Sequence, residues 1–166
     1  MQTQQGYSSL EILVTIIIMG ILSSLGIPTL SRLLTQHQAR GILAELHSDL
    51  NYARTTALQN GLAMTMCPYT PGGDACGQDW SKGWQVRQIG TTQIALKTYQ
   101  ISQAHFVLKF RGFSTTNHIV FMPQGYIHGN GTFALSNTTY PHLCLNNKII
   151  LSNSGRMRHA STQPDC

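Results

Sequence analysis

Two arginines near the end of the chain are spaced in a way that suits phosphate binding. Arg156 and Arg158 are separated by one residue, and in an extended segment both side chains project from one side, with Cα atoms about 6.6–6.8 Å apart. Each guanidinium offers a planar fork to a phosphate, so the pair suits two successive phosphates of one nucleic-acid strand. The preceding S-N-S-G sequence predicts a turn in which Gly155 takes a positive φ. Lys148 and His159 lie close by in sequence and could extend the basic patch.

The same arginines have a second interpretation that involves no ligand. Charged side chains on an exposed edge strand prevent two molecules from pairing through that strand. The charge distribution bears on this alternative, because 11 Lys and Arg outnumber 6 Asp and Glu and no acidic residue lies between Asp79 and Asp165. A basic excess favours anionic partners, but spacing and charge alone leave both interpretations open.

The residue types argue against an enzyme. A catalytic nucleophile needs a base and a group that orients the base. The chain has 7 His, but no carboxylate between Asp79 and Asp165 could orient one of them. There is also no G-x-S-x-G segment and no glycine loop of the phosphate-binding type. We therefore expect no enzymatic activity and no cofactor.

An apolar stretch near the N-terminus carries one carboxylate. Leu10 to Leu30 is about as long as the ~20 residues that span a bilayer, and Glu11 is its one charge. A signal peptide would need a basic start and an A-x-A-like site, which are absent from the sequence, and an ordinary anchor gives no reason for a carboxylate there. Cleavage after Gly6 would explain Glu11, because the new N-terminus at Tyr7 would place a positive amine near it. Glu11 would gain from the positive helix end and would pair with the amine of a neighbouring subunit.

The remaining pattern predicts an α+β fold. Apolar residues continue at helical spacing, which predicts one helix from about residue 7 to about residue 59, ended by Asn60-Gly61. The second half of this helix is amphipathic and needs a partner surface. Short runs rich in strand formers follow; they are LAMTMC, GWQVRQ, QIALKTY, FVLKFR, HIVFM, TFALS, HLCL and KIILS. Because their connections are too short for helical crossovers, we expect an antiparallel sheet packed against the helix.

Four cysteines form an even set: Cys67, Cys76, Cys144 and Cys166. Behind a membrane anchor they would face an oxidising compartment, where disulfides persist. Three pairings are possible, and we favour the pairs adjacent in sequence, Cys67–Cys76 and Cys144–Cys166, the second of which would hold the C-terminal tail. A zinc site is the rival interpretation. Because the sequence has no C-x-x-C and its histidines are scattered, we expect no metal.

The N-terminal residues resemble those of type IV pilins and pseudopilins. The resemblance rests on Gly6, Tyr7, Glu11, the apolar run and Pro28. It implies that a prepilin peptidase removes a leader at 1–6 and methylates the new amine. It also implies a transmembrane and assembly half of the helix at 7–30 and a periplasmic globular head at 31–166, in the single-pass inner-membrane topology of a Gram-negative bacterium before entry into a surface pilus. The chain departs from the family in its leader, which lacks Lys and Arg, and in Tyr7, where Phe is commoner.

Later segments are similar to FimT/GspH-type minor pilins. The similar segments are SDLNYARTTALQNG at residues 48–61, residues 80–84, IVFMPQGYIHGNGTFAL and KIILSNSGRMRHA. Gly155, Arg156 and Arg158 match the G-R-x-R motif of FimT proteins from competent bacteria. This resemblance implies binding of extracellular double-stranded DNA through its phosphate backbone, without sequence specificity, to support DNA uptake in natural transformation. Lys148 and His159 would complete that DNA-binding patch.

Two other functions stay open at this level. A purely structural minor pilin, or a GspH-like pseudopilin of a type II secretion system, would share the fold and associate with other pilins without needing the basic patch. An adhesin for anionic surfaces is a third possibility that fits the same charge pattern.

Overall fold

The computed structural model describes residues 7–72, 75–90, 95–112, 117–141 and 147–161. The chain forms two compact units that divide after His37. One long helix, α1 (Ser9–Asn60), contributes to both units. Its bounds confirm the single long helix that the apolar spacing predicts, and Gly61 ends it with the positive φ of 63° that is common after a helix C-terminus.

The first unit contains the N-terminal part of α1, in which large apolar side chains from Leu10 to Leu22 lie on every side of the helix. The large apolar side chains from Leu10 to Leu22 are all exposed in the isolated chain, which is typical of a helix that meets lipid or other helices. Glu11 lies in the first turn, where its backbone N–H donates to the carbonyl of Ser8 over 3.0 Å. Within the described residues, α1 is the one helix that is long and apolar enough to cross a membrane.

The second unit contains two antiparallel sheets. Its strands are β1 (Met64–Pro68), β2 (Gly83–Gln88), β3 (Ala95–Gln100), β4 (Phe106–Gly112), β5 (Ile119–Phe121), β6 (Gly131–Asn137), β7 (Asn147–Leu151) and β8 (Met157–Ser161), with a 3-10 helix at Trp80–Lys82. The first sheet has the order β3-β2-β1-β5 and the second sheet has the order β4-β6-β7-β8. The antiparallel α+β architecture is therefore confirmed.

Two details of the sheets differ from the sequence-based expectation. We expect one sheet, and the structure has two, because β5 returns to pair with β1 while β4 pairs with β6. Periodicity identifies strands but not their partners, which lie far away in sequence. The strand β8 is also not among the predicted runs, and the HLCL run lies outside the described residues.

The core lies between the second half of α1 and the inner faces of both sheets. Seven apolar helix residues on one face of α1 are buried; they are Ala39, Ile42, Leu43, Leu46, Leu50, Ala53 and Ala57. They form one cluster with buried side chains of both sheets, including Trp84 of β2 and Phe133 of β6. This packing confirms that the amphipathic half of the helix covers the strands.

One polar cluster ties α1 to the first sheet. The fully buried Asp49 accepts a hydrogen bond from Trp84 Nε1 over 2.8 Å and pairs with the ammonium group of Lys97. Glu45 also pairs with Lys97, at 3.1 Å between Oε1 and Nζ. The hydrogen bond to Asp49 is the main cause of a raised pKa of Lys97, and burial opposes it. The buried carboxylate of Asp49 is tolerated because one oxygen accepts a hydrogen bond from Trp84 and the other pairs with Lys97.

The described cysteines form the first of the two expected bridges. Cys67 and Cys76 are bonded, with Cα atoms 5.6 Å apart, so the bridge closes the loop that leaves β1. Cys144 and Cys166 lie outside the described residues, so their pairing stays a prediction.

Replacing Asp49 should destabilise the head more than replacing its neighbour Glu45. Asp49→Ala leaves Trp84 Nε1 buried without its acceptor, which costs about 1–3 kcal/mol. Glu45→Ala removes a partly exposed ion pair, which costs at most about 1 kcal/mol. Urea unfolding of the full chain in neutral detergent, followed by tryptophan fluorescence, gives both values. Equal losses of stability would contradict the central role of Asp49.

Candidate nucleic-acid interface

The candidate interface is the hairpin formed by β7 and β8. The strands pair from Asn147↔Ser161 to Leu151↔Met157, and the pairing continues into the turn, where the backbone N–H of Ser152 donates to the carbonyl of Arg156 over 3.0 Å. Arg156 and Arg158 are both exposed. They line one shallow depression together with Ile150 and Ser152, so the structure brings the two arginines to one side of the hairpin.

Gly155 closes the turn in a conformation that suits glycine. Its φ is 73°, the positive value expected from the S-N-S-G sequence, and its backbone N–H donates to the carbonyl of Ser152 over 2.9 Å. A Cβ atom on Gly155 would lie 2.1 Å from the carbonyl oxygen of Gly125 and 2.9 Å from Arg54 Nε. Both the backbone angle and the close approach therefore require a residue without a side chain.

Arg54 of α1 fixes this turn to the rest of the head. Its Nε donates to the carbonyl of Gly125 over 2.9 Å, and its Nη2 donates to the carbonyl of Ser154 over 3.3 Å. Two more hydrogen bonds hold Asn153: its carbonyl accepts from Ile127 N–H at 2.8 Å, and its N–H donates to Asn130 Oδ1 at 2.9 Å. This role of Arg54 cannot be predicted from local sequence, because its partners lie 71 and 100 positions away.

Strand alternation separates the other two predicted members of the patch. Lys148 pairs with Ala160 and Ile150 pairs with Arg158, so Lys148 and Arg158 share the face of the second sheet that points away from α1. His159 pairs instead with the fully buried Ile149, so its side chain lies on the α1 side of β8, where it remains exposed.

The placement of His159 corrects the expectation that it extends the patch. Its ring lies 4.9 Å from that of His47 on α1, measured between ring centroids. The pKa of His47 is lowered, first by burial and then by the charge of His159, and the amide Nδ2 of Asn51 lies 3.3 Å from His47 Nδ1. We interpret this pair as a contact between α1 and β8 rather than as part of the basic surface.

The three remaining cations are not neutralised within the described part of the chain. There, the ion pairs are those of Lys97 with Glu45 and Asp49, and no carboxylate pairs with Lys148, Arg156 or Arg158. These three side chains can therefore bind an external anion. Across the same described residues, no three His, Cys, Asp or Glu side chains lie close enough together to hold a metal ion.

The predicted processing site lies at the other end of the chain. Gly6 is outside the described residues. Tyr7 is exposed and precedes the start of α1 by two positions, and Glu11 lies in the first helical turn.

A single methyl group at Gly155 should destabilise the head. Gly155→Ala forces a side chain into the left-handed region, which costs about 1–2 kcal/mol, and adds the contact with Gly125. Gly41→Ala is the matched control, because Gly41 lies in α1 with open space around its Cβ position, and this change should stabilise by about 0.5–1 kcal/mol. Urea unfolding of both variants tests the prediction, and an unchanged midpoint for Gly155→Ala would refute the packing argument.

Comparisons with known proteins give a matching family and solved structures of similar fold. The family described as type II transport protein GspH matches residues 43–159. A solved structure of the type IV minor pilin FimU from Pseudomonas aeruginosa is 19% identical, with a TM-score of 0.58, and the match covers 76% of this chain and 90% of that one.

A second solved structure is the minor pseudopilin EpsH from the type II secretion system of Vibrio cholerae. It is 9% identical, with a TM-score of 0.52, over 75% of this chain and 97% of that one. At these identities the two structures support the fold. No curated protein matches the chain.

Proposed function

We propose a nucleic-acid-binding function for this chain, which belongs to the GspH family of minor pilins and pseudopilins. Membership implies association with other pilins in a filament. Together with the apolar start of α1, it also implies a membrane-anchored subunit with a periplasmic head. We further propose that the subunit passes from the inner membrane of a Gram-negative bacterium into a surface pilus. There its head binds extracellular double-stranded DNA for uptake in natural transformation.

The observation that carries the proposal is the position of three cations on one face of the β7–β8 hairpin. Lys148, Arg156 and Arg158 have no carboxylate partner among the described residues, and the two arginines line one depression. Guanidinium groups bind phosphate oxygens in pairs. Because Arg54 and the neighbouring loop hold the turn, little conformational freedom is lost when a ligand binds.

The chemistry of this surface supports binding to the phosphate backbone rather than to bases. Contacts from arginine and lysine to phosphates position a protein on DNA without reading its sequence. Each neutralised phosphate releases counterions, so the affinity falls steeply as salt rises. The proposed binding is therefore independent of sequence and sensitive to salt.

A purely structural role in a pilus or a secretion pseudopilus is the alternative. It fits the family and the likeness to EpsH equally well, and in that case the arginines would protect the edge strand β8 from pairing. That explanation does not extend to Lys148, because β7 has a paired strand on each side. We therefore favour a ligand for this face.

We also propose that a prepilin peptidase cuts after Gly6 and methylates the amine of Tyr7. The position of Glu11 in the first turn of α1 supports this processing, because Glu11 is the one charge in the apolar stretch from Leu10 to Leu30. A carboxylate in such surroundings needs a partner, and the new amine of a neighbouring subunit would supply one.

Removing the two arginines should weaken DNA binding at all sequences alike. Each lost phosphate contact lowers the magnitude of the slope of log K against log salt by about 0.9, so Arg156→Gln with Arg158→Gln should lower it by about 1.8. The measurement is fluorescence anisotropy of a labelled 24-bp duplex with the full chain in neutral detergent.

Arg32→Gln with Arg40→Gln is the matched control, because it removes two exposed charges from α1 and leaves the hairpin intact. Full DNA affinity of Arg156→Gln with Arg158→Gln, the hairpin variant, would refute the assignment of the two arginines to the DNA-binding site. A parent chain that shows no salt-dependent binding would favour the structural role.

The processing proposal predicts the mass of the protein recovered from membranes. In cells with an active prepilin peptidase, the mass should correspond to residues 7–166 with one methyl group on the N-terminal amine. A Gly6→Val variant should keep its leader, because a branched side chain then occupies the position before the cut. Intact-mass spectrometry of both proteins is the test, and an unprocessed Met1 in the parent would overturn the proposal.

A further inference from the structure

Two more cations lie on the same face of the second sheet as the hairpin residues. Lys109 of β4 pairs with Ala134 of β6, which pairs with Lys148 of β7. Residues that are directly opposite one another across a ladder share a face, so Lys109 and Lys148 belong to one row.

The next row along the strands has cations at both ends. Arg111 of β4 pairs with Thr132, Thr132 pairs with Ile150, and Ile150 pairs with Arg158 of β8. Lys109 and Arg111 are both exposed, and they alternate along β4 with side chains that pack in or against the core. The outer face of the second sheet therefore holds five cations; they are Lys109, Arg111, Lys148, Arg156 and Arg158.

These cations form two groups on either side of β6. The β4 group is Lys109 and Arg111, and the hairpin group is Lys148, Arg156 and Arg158. The outward residues of β6 between them are uncharged: Thr132, Ala134 and Ser136. With neighbouring strands about 4.8 Å apart, β4 lies about 10 Å from β7 and about 14 Å from β8.

No acidic residue interrupts this face. All four strands fall between Asp79 and Asp165, where the sequence has no Asp or Glu. The described ion pairs do not involve either group. A second feature is the lack of aromatic rings, because the described outward positions of the four strands hold only aliphatic, hydroxyl and basic side chains; they are Val107, Lys109, Arg111, Thr132, Ala134, Ser136, Lys148, Ile150, Arg158 and Ala160.

We infer that the whole outer face of the second sheet binds duplex DNA, with the β4 group and the hairpin group on phosphate rows at opposite sides of one groove. This inference rests on the proposed function and adds Lys109 and Arg111 to the site. The separation of about 10–14 Å between the groups matches the major groove, which is about 12 Å wide. The uncharged β6 lies opposite the groove, where there are no phosphates to neutralise.

The lack of rings favours a duplex over a single strand as the ligand. Proteins that hold single strands combine a basic groove with aromatic side chains on which the bases stack. The described strand positions of this face carry charge and no aromatic ring, so they suit a ligand whose bases are already stacked inside a helix.

The test is the salt dependence of duplex binding by the full chain in neutral detergent. Five neutralised phosphates give a slope of about −4.5, whereas three give about −2.7. Between 50 and 200 mM salt, the association constant of the parent should therefore fall about 500-fold, and that of Lys109→Gln with Arg111→Gln should fall about 40-fold. The control Arg32→Gln with Arg40→Gln should behave like the parent.

A labelled single strand of the same length is the second arm. It should bind the parent more weakly than the duplex does, and Lys109→Gln with Arg111→Gln should change its affinity less than twofold, because one strand follows one group of cations. An equal loss on the duplex and on the single strand would overturn the two-row arrangement.

The outcomes separate this inference from the proposed function. If the hairpin variant loses salt dependence while Lys109→Gln with Arg111→Gln matches the parent, the proposed function stands and the extension to β4 is wrong. If both variants match the parent, or the parent does not bind, the proposed function and the inference fail together. Circular dichroism of each variant is the control that distinguishes a loss of DNA binding from a loss of fold.

Discussion

The packing of α1 against the second sheet is the constraint on which the rest of the head depends. Phe106, Leu108, Phe133, Ile149 and Leu151 fill the inner face of this sheet, where they meet the apolar side of the helix. Because side chains alternate along a strand, every residue between them must point outward. The same burial that stabilises the fold therefore places the cations of β4, β7 and β8 on one solvent-facing surface.

A second contact with α1, made by Arg54, positions the turn of the β7–β8 hairpin. Arg54 donates to carbonyls on two turns, and the glycines of those turns approach each other so closely that a Cβ on Gly155 would clash with Gly125. The cationic side chain is thus used internally, as a donor to backbone oxygens. Arg156 and Arg158 leave a turn whose backbone groups are already satisfied, so their guanidinium groups remain available to a ligand.

Sequence reasoning predicted the elements well and their pairing poorly. The long helix, the antiparallel strands and the positive φ of Gly155 follow from local patterns that short segments carry by themselves. The Cys67–Cys76 bridge is one of three pairings that the sequence allows, and the structure confirms it. The two-sheet arrangement and the bonds of Arg54 depend on partners far away in sequence.

The orientation of His159 can be predicted only in part from the sequence. The alternation in KIILS and RMRHA marks two faces, but the buried face is identified only once Ile149 is known to be paired with His159. The outward direction of Lys109 can also be predicted from the alternation in FVLKFR, whereas its position in one row with Lys148 requires the register across β6.

The low content of charged residues makes this row of cations significant. Charged residues are 10% of this chain, against about 25% in typical soluble domains, so solubility here depends mainly on neutral polar groups. Five cations on one face, with no acidic residue among them, are therefore the charge pattern that the proposed polyanionic partner requires.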